Sequence, residues 1–183
     1  YPKLGDGGRW CWFTATPLKT ADGTVVGAIE TLWDTTANKR AEAESRRHVK
    51  ELEEKEQTFA QIIEGSTTPT FVINRNHIVT HWNQALEKLS GYTASEIVGT
   101  NHHWKPFRKK ARPLMADVIL DQLETGEINH YYGSKWQPST LVEGGFEAEE
   151  FFEHLGDGGR WLFFTAAPIK ASDGTIIGAI ETI

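Results

Sequence analysis

The chain has 183 residues, 39% of them hydrophobic, with 19 Lys and Arg against 25 Asp and Glu and a formal net charge of −6. That is a globular composition, and the acidic balance argues against a nucleic-acid surface, which needs clustered Lys and Arg for counterion release. No stretch approaches the roughly 18 to 20 apolar residues of a membrane span, and the lone Cys11 allows neither an internal disulfide nor a cysteine-based zinc set, which fits a cytoplasmic protein.

Residues 1–35 open with Leu4-Gly-Asp-Gly-Gly-Arg-Trp10, which recurs as Leu155-Gly-Asp-Gly-Gly-Arg-Trp161. The match runs on at an offset of about 151 residues to Leu32 against Ile183. A period that long indicates two tandem domains rather than a solenoid, so residues 1–35 read as the closing strands of a first, truncated domain. Gly5 to Gly8 reads as a hairpin turn rather than a phosphate cradle, because no Gly-Lys-Ser/Thr follows. An apolar hairpin with unpaired edges is expected to pack on another chain or on the second domain.

Residues 36–65 form a connector. From Thr36 to Ile63 there is no Gly or Pro, and Ala, Glu, Lys and Arg dominate, which predicts a helix about 42 Å long. Val49, Leu52, Phe59 and Ile63 follow a 3-4 spacing, so the seam of a possible coiled coil is apolar only in its second half. His48 lies on this helix as a solvated residue and lacks the setting of a phosphoacceptor.

Residues 66–183 read as the second domain. Pro69 to Asn74, an Arg75-Asn76 turn and His77 to Trp82 predict a hairpin. Asn83 is placed to cap a short helix carrying Ala85, Leu86 and Leu89 and ended by Gly91, and Thr93-Ala-Ser-Glu96 has the spacing of a capping box. A longer helix is expected from Pro113, with Leu114, Met115, Val118, Ile119 and Leu123 as its apolar stripe and Gly126 at its end. Residues 127–145 read as an irregular insertion. Phe151 to Leu155, Trp161 to Ile169 and Thr175 to Ile183 predict a three-stranded antiparallel meander with an Asp173-Gly174 turn. The order gives an α+β architecture: a five-stranded antiparallel sheet with short helices and one long helix on one face, preceded by the long connector helix.

Phe71-Val-Ile-Asn followed by His77 to Ala85, Leu89-Ser-Gly-Tyr-Thr-Ala-Ser-Glu-Ile-Val-Gly99, and Pro168-Ile-Lys with Gly174-Thr-Ile-Ile-Gly178 resemble a PAS sensory domain. The resemblance covers about residues 57–183, and residues 4–32 resemble the closing strands of another copy. It implies a sensory or relay module of a larger signalling protein such as a histidine kinase, a cyclic-dinucleotide enzyme or a chemoreceptor; separately, no nucleophile-base pair or carboxylate dyad has recognisable spacing, so an enzyme is not expected. Asp34-Thr35-Thr36 resembles the Asp-x-Thr junction that joins the last strand of such a domain to an output helix. A homodimer through the connector helix and the domain faces is the implied assembly, with a small-molecule ligand or, alternatively, an empty dimerising relay.

The inward-facing candidates for a ligand pocket are Phe71, Ile73, Leu86, Leu89, Ile97, Leu114, Met115, Val118, Phe163, Thr165, Ile177 and Ala179, any of which also serves as ordinary core. His102 and His103 precede the predicted long helix and are the candidates for an axial haem ligand. Non-covalent flavin is compatible but not indicated, and the second domain has no cysteine for a photoadduct. No metal set is expected, since the histidines lack Cys or carboxylate support at zinc-site spacing.

Overall fold

The structure is a computed structural model describing residues 1, 2, 4 and 7–183. Two compact units divide it, Tyr1–Gln57 and Thr58–Ile183. In the first, β1 (Cys11–Lys19) and β2 (Val25–Asp34) form an antiparallel hairpin, and helix α1 (Thr36–Glu64) starts after a single residue, continuing into the second unit. The turn is set by Asp22, whose carboxylate accepts from the Thr24 N–H, and by Gly23 at φ 86°, a conformation that favours a residue without Cβ. Of the turn predicted over Gly5–Gly8, Gly5 and Asp6 lie outside the described residues, while Gly7 and Gly8 have positive φ.

The second unit holds a six-stranded antiparallel sheet in the order β4-β3-β8-β7-β6-β5. The strands are β3 (Thr70–Asn74), β4 (Val79–Trp82), β5 (Trp136–Pro138), β6 (Phe146–Phe152), β7 (Arg160–Lys170) and β8 (Ile176–Thr182). The helices are α2 (Gln84–Ser90), α3 (Ala94–Ile97), α4 (Met115–Leu120) and α5 (Thr125–Tyr132). α4 packs against β7 and β8, and a single core forms beneath the sheet around Phe71, Ile73, Leu86, Ile97, Met115, Val118, Phe164 and Ala179. The mixed α+β class with a helix-covered antiparallel sheet is as expected, with β5 as a sixth strand beyond the five.

Local signals place the short helices where the sequence predicts them. Asn83 caps α2 by accepting from the Leu86 N–H, and Gly91 ends it in the left-handed region at φ 77°. Glu96 accepts from the Thr93 N–H at 2.8 Å and anchors α3. The long helix is different. It breaks into α4 and α5, because Gln122 takes φ 51° and the Leu123 N–H reaches back five residues to the Val118 carbonyl. Gly126 therefore sits inside α5 rather than closing a helix, and part of the expected irregular insertion is helical. The second strand also starts later than expected, at Val79, since His77 occupies the turn at φ 60°.

Three of the expected inward positions face out. On β7 the buried side is Phe164 and Ala166 with Leu162 partly covered, so Phe163 is exposed and Thr165 lies on the outward side, bonded to Thr182 at 2.7 Å. Trp161-Leu-Phe-Phe is apolar on both parities, and a two-residue period cannot choose between them. Ile177 is exposed because a bulge skips it: Ile169 pairs with Gly178 and Lys170 with Ile176.

Candidate functional site

The N-terminus of α4 is organised by one carboxylate. Asp117 accepts from the Leu114 N–H at 2.8 Å, from His103 Nε2 at 2.8 Å and from His77 Nδ1 at 2.7 Å, and both Asp117 and His103 are buried. The Nε2 of His77 lies 3.1 Å from Asp121, so both ring nitrogens face carboxylates. Burial pushes the Asp117 carboxyl up, but the bonds from His103, His77 and Leu114 more than offset it and hold it below the usual range. Burial likewise opposes the charged form of His77, and Asp117 and Asp121 override it, so its imidazolium is favoured.

One residue along, Glu181 of β8 is buried on the core face and accepts from the Ala116 N–H at 2.8 Å. It lies between Phe71 on β3 and Ala166 on β7 in the sheet register. Burial, with the nearby Asp117 charge, pushes its carboxyl up to about 8, against the pull of the Ala116 and Met115 amides and Arg108.

Glu181 also lines a cavity of about 10 Å³, the space of roughly one water, with Arg108, Tyr132, Leu114 and the aromatic rings of Phe107, Phe152 and Phe164. Arg108 lies over the Phe152 ring at 4.9 Å and Arg112 over Tyr132 at 5.3 Å. Glu150 is shared by Arg108, Arg112 and Lys135. Three buried donors here have no hydrogen-bond partner, Arg108 Nε, Arg112 Nε and the Tyr132 hydroxyl, while Arg112 Nη2 has only the ion pair with Glu150 at 3.5 Å. Such orphans are uncommon in a folded core.

The sequence-predicted pocket residues Phe71, Ile73, Leu86, Ile97, Leu114, Met115, Val118 and Ala179 are all buried together, with Leu89 at the rim, but only Leu114 among them lines this cavity. His103 packs its ring on Phe71 and spends Nε2 on Asp117, which leaves Nδ1 unpaired, while the His102 N–H is held by Thr100. Sequence reasoning missed Arg108, Arg112, Tyr132, Glu150 and Glu181. Glu181 alone carries a local signal, being acidic at a position two from Ala179 and two from Ile183 on the same strand face.

In the first unit the candidate transmission residues form a lock of their own. Asp34 accepts from the Thr36 N–H at 3.0 Å and pairs with Arg9. The Trp10 N–H donates to Thr36 Oγ1 at 2.9 Å, and the N–H and hydroxyl of Thr35 both donate to the Trp10 carbonyl. The Thr36 hydrogen bonds and Arg9 pull the Asp34 carboxyl down to about 2.

The model of the PAS fold family matches residues 57–127. Among solved structures, the chain is similar to the PAS domain of BvgS from Bordetella pertussis, with 15% identity, a TM-score of 0.41, and 70% of this chain and 82% of that one covered. It is also similar to the PAS domain of an HTR-like protein from Haloarcula marismortui (17%, TM-score 0.45, 75% and 96% covered) and to a sensory box sensor histidine kinase from Vibrio cholerae (16%, TM-score 0.37, 79% and 94% covered). No curated protein matches. The family match covers β3, β4, α2, α3 and α4 and reaches into the start of α5. Among the described residues, no helix is long and apolar enough to cross a membrane.

Proposed function

We propose that the chain is a non-catalytic sensory and relay module of a larger cytoplasmic signalling protein, a histidine kinase, a cyclic-dinucleotide enzyme or a chemoreceptor. A small ligand or partner changes the packing between sheet and helices, and a last strand passes the change to a helix. The observation that carries this reading is the junction at Asp34 to Thr36. There β2 becomes α1 across one residue, and Asp34, Thr35 and Thr36 tie the helix start to Arg9 and Trp10, so a displacement of the strand end moves the first turn of the helix with it. In the second unit Glu181 supports a parallel role for β8, since it touches the start of α4 from a strand and also lines a cavity.

A second reading, a ligand-free dimerising relay, is favoured by the outward face of the sheet. Phe151 stacks beside Trp161 there, and Trp161 and Phe163 are 64% and 56% exposed, an apolar surface suited to a second copy of the chain. Native mass spectrometry of the purified chain separates the readings. A dimer with a reproducible extra mass supports the sensor, a dimer at the mass of the bare polypeptide supports the relay, and a monomer at tens of micromolar contradicts the assembly both use.

A further inference from the structure

His77 is fixed at its backbone and bridges two acids with its ring. It sits in the turn between β3 and β4 at φ 60°, a left-handed conformation that histidine adopts more readily than most residues. Its N–H donates to the Asn74 carbonyl at 2.9 Å, while Asn74 Oδ1 accepts from the Asn76 and Ile78 N–H groups. The ring reaches from there to α4, where Asp117 in the first turn and Asp121 at the C-cap share one face at i,i+4 spacing. Nδ1 lies 2.7 Å from Asp117 and Nε2 lies 3.1 Å from Asp121. A carboxylate only accepts, so both contacts are hydrogen bonds only when both ring nitrogens carry a proton. Three other titratable or charged groups lie near. His103 also reaches Asp117, but through Nε2 alone, a bond that a neutral ring can make; Glu181 of β8 feels the Asp117 charge; and Arg75, in the same turn as His77, is exposed.

We propose that His77 is a proton-operated clasp: the imidazolium ties the β3–β4 turn to both Asp117 and Asp121, and the neutral ring keeps Asp117 and lets Asp121 go. The choice between the two acids follows from their surroundings. Asp117 is 8% exposed and shut away from solvent, so losing its donor strands a buried charge, whereas Asp121, 42% exposed, exchanges His77 for water. The released residue stands at a break in the chain. Asp121 ends α4 with its N–H on the Asp117 carbonyl at 2.9 Å, and Gln122 next to it takes φ 51° before α5 begins. A left-handed residue other than glycine persists only where its surroundings impose it, so freeing Asp121 loosens the junction between α4 and α5. Burial opposes the imidazolium and both carboxylates favour it, so the clasp is closed at pH 6.5 and opens as pH rises above that. Because α4 packs against β7 and β8, a change in local acidity reaches those strands. The inference rests on the sensory reading for its purpose, but not for its test.

The test is a pH titration of the isotope-labelled full chain from about pH 5 to 9, spanning the histidine range, with ring-nitrogen and backbone-amide shifts followed together. The same spectra resolve His77 from His103, and a Glu181→Gln background removes the buried acid that titrates nearby. Two protonated nitrogens on His77 at low pH, a neutral ring with its proton on Nδ1 at high pH, and amide shifts at Asp121, Gln122 and Leu123 that share the His77 midpoint are expected. Asp121→Asn should lower that midpoint and abolish the transition at residues 121–123, because an amide can turn to serve either form of the ring. His77→Asn, which suits the left-handed turn, should abolish it as well, and Asp121→Asn decides if that variant does not fold. A neutral ring protonated on Nε2, amides at 121–123 that do not follow His77, or a transition that survives in Asp121→Asn would overturn the clasp. Such a failure would leave the relay at Asp34 untouched, since that is read out by signalling output.

Discussion

Asn83 shows how much of the second unit hangs on one polar side chain. It is fully buried, accepts from the Thr70 and Leu86 N–H groups, and donates through Nδ2 to the carbonyls of Ile63, Ser66 and Thr68. One residue thus caps α2, fixes the start of β3 and holds the end of α1. The capping role is legible in the sequence because it depends on neighbours three residues away; the bonds to Ile63 and Thr68 are not, since they need the tertiary fold. Asn83→Ala strands buried donors and acceptors and is expected to destabilise the unit by about 2 to 4 kcal/mol, read as a drop in the thermal midpoint. Asn83→Asp keeps the acceptor but aims a carboxylate at three carbonyls, and should be no milder. A melting curve for Asn83→Ala that overlays the parent's would remove Asn83 from this role.

At the scale of elements, the linkage between β8 and α4 depends on protonation. Glu181 has an ordinary value of 4.5 and is raised to about 8 in the fold, so the native state binds more protons between those limits and its stability falls as pH rises from about 4.5 to 8. His77, raised above 6.5, acts in the same direction: its contribution is present below 6.5 and is lost as pH rises through its folded value. Asp117, lowered below 3.8, supplies the acid limb, with stability present above 3.8 and lost as pH falls through its folded value. Glu181→Gln retains an acceptor for the Ala116 N–H and removes the buried charge. It should be more stable than the parent at pH 8 by at least about 1 kcal/mol, with the gap closing toward pH 5. A gap in denaturant midpoint that does not change across that range would contradict the buried acid.

Elements also show where sequence reading runs out. The ends of α2 and α3 and the Asp173-Gly174 turn follow from side chains within a few residues, and these were legible. The division between α4 and α5 was not, because the apolar stripe Leu114 to Leu123 is as good for one long helix as for two short ones, and Gln122 carries no sequence mark of its positive φ. The carboxylate centre at Asp117 was equally hidden. His77 lies 40 residues away and His103 lies 14 away, so no spacing rule unites them. Arg108, Arg112 and Tyr132 read as ordinary loop and helix polar residues until the fold closes around them.

For the whole molecule, the informative comparison is internal. The hairpin of β1 and β2 repeats that of β7 and β8 register for register: Thr14 faces Thr31 as Thr165 faces Thr182, Ala15 faces Glu30 as Ala166 faces Glu181, and the bulge falls at the same place. In the second unit the hairpin is flanked by β3 and β6 and covered by α4, so Phe164 is buried. In the first unit its counterpart, Phe13, is 53% exposed. The same strands are thus present in one unit at the centre of a six-stranded sheet and in the other as the strand pair that leads into α1.

The most direct measurement of the central claim is signalling output from the intact protein carrying Asp34→Ala. Removing the carboxylate breaks the bond to the Thr36 N–H and the pair with Arg9 while leaving residues 58–183 unaltered in sequence. The expected result is a well-folded protein, with unchanged circular dichroism, whose output no longer responds to its stimulus, and a Thr36→Ala variant should share part of that defect. A full response in a folded Asp34→Ala protein would contradict transmission through this junction.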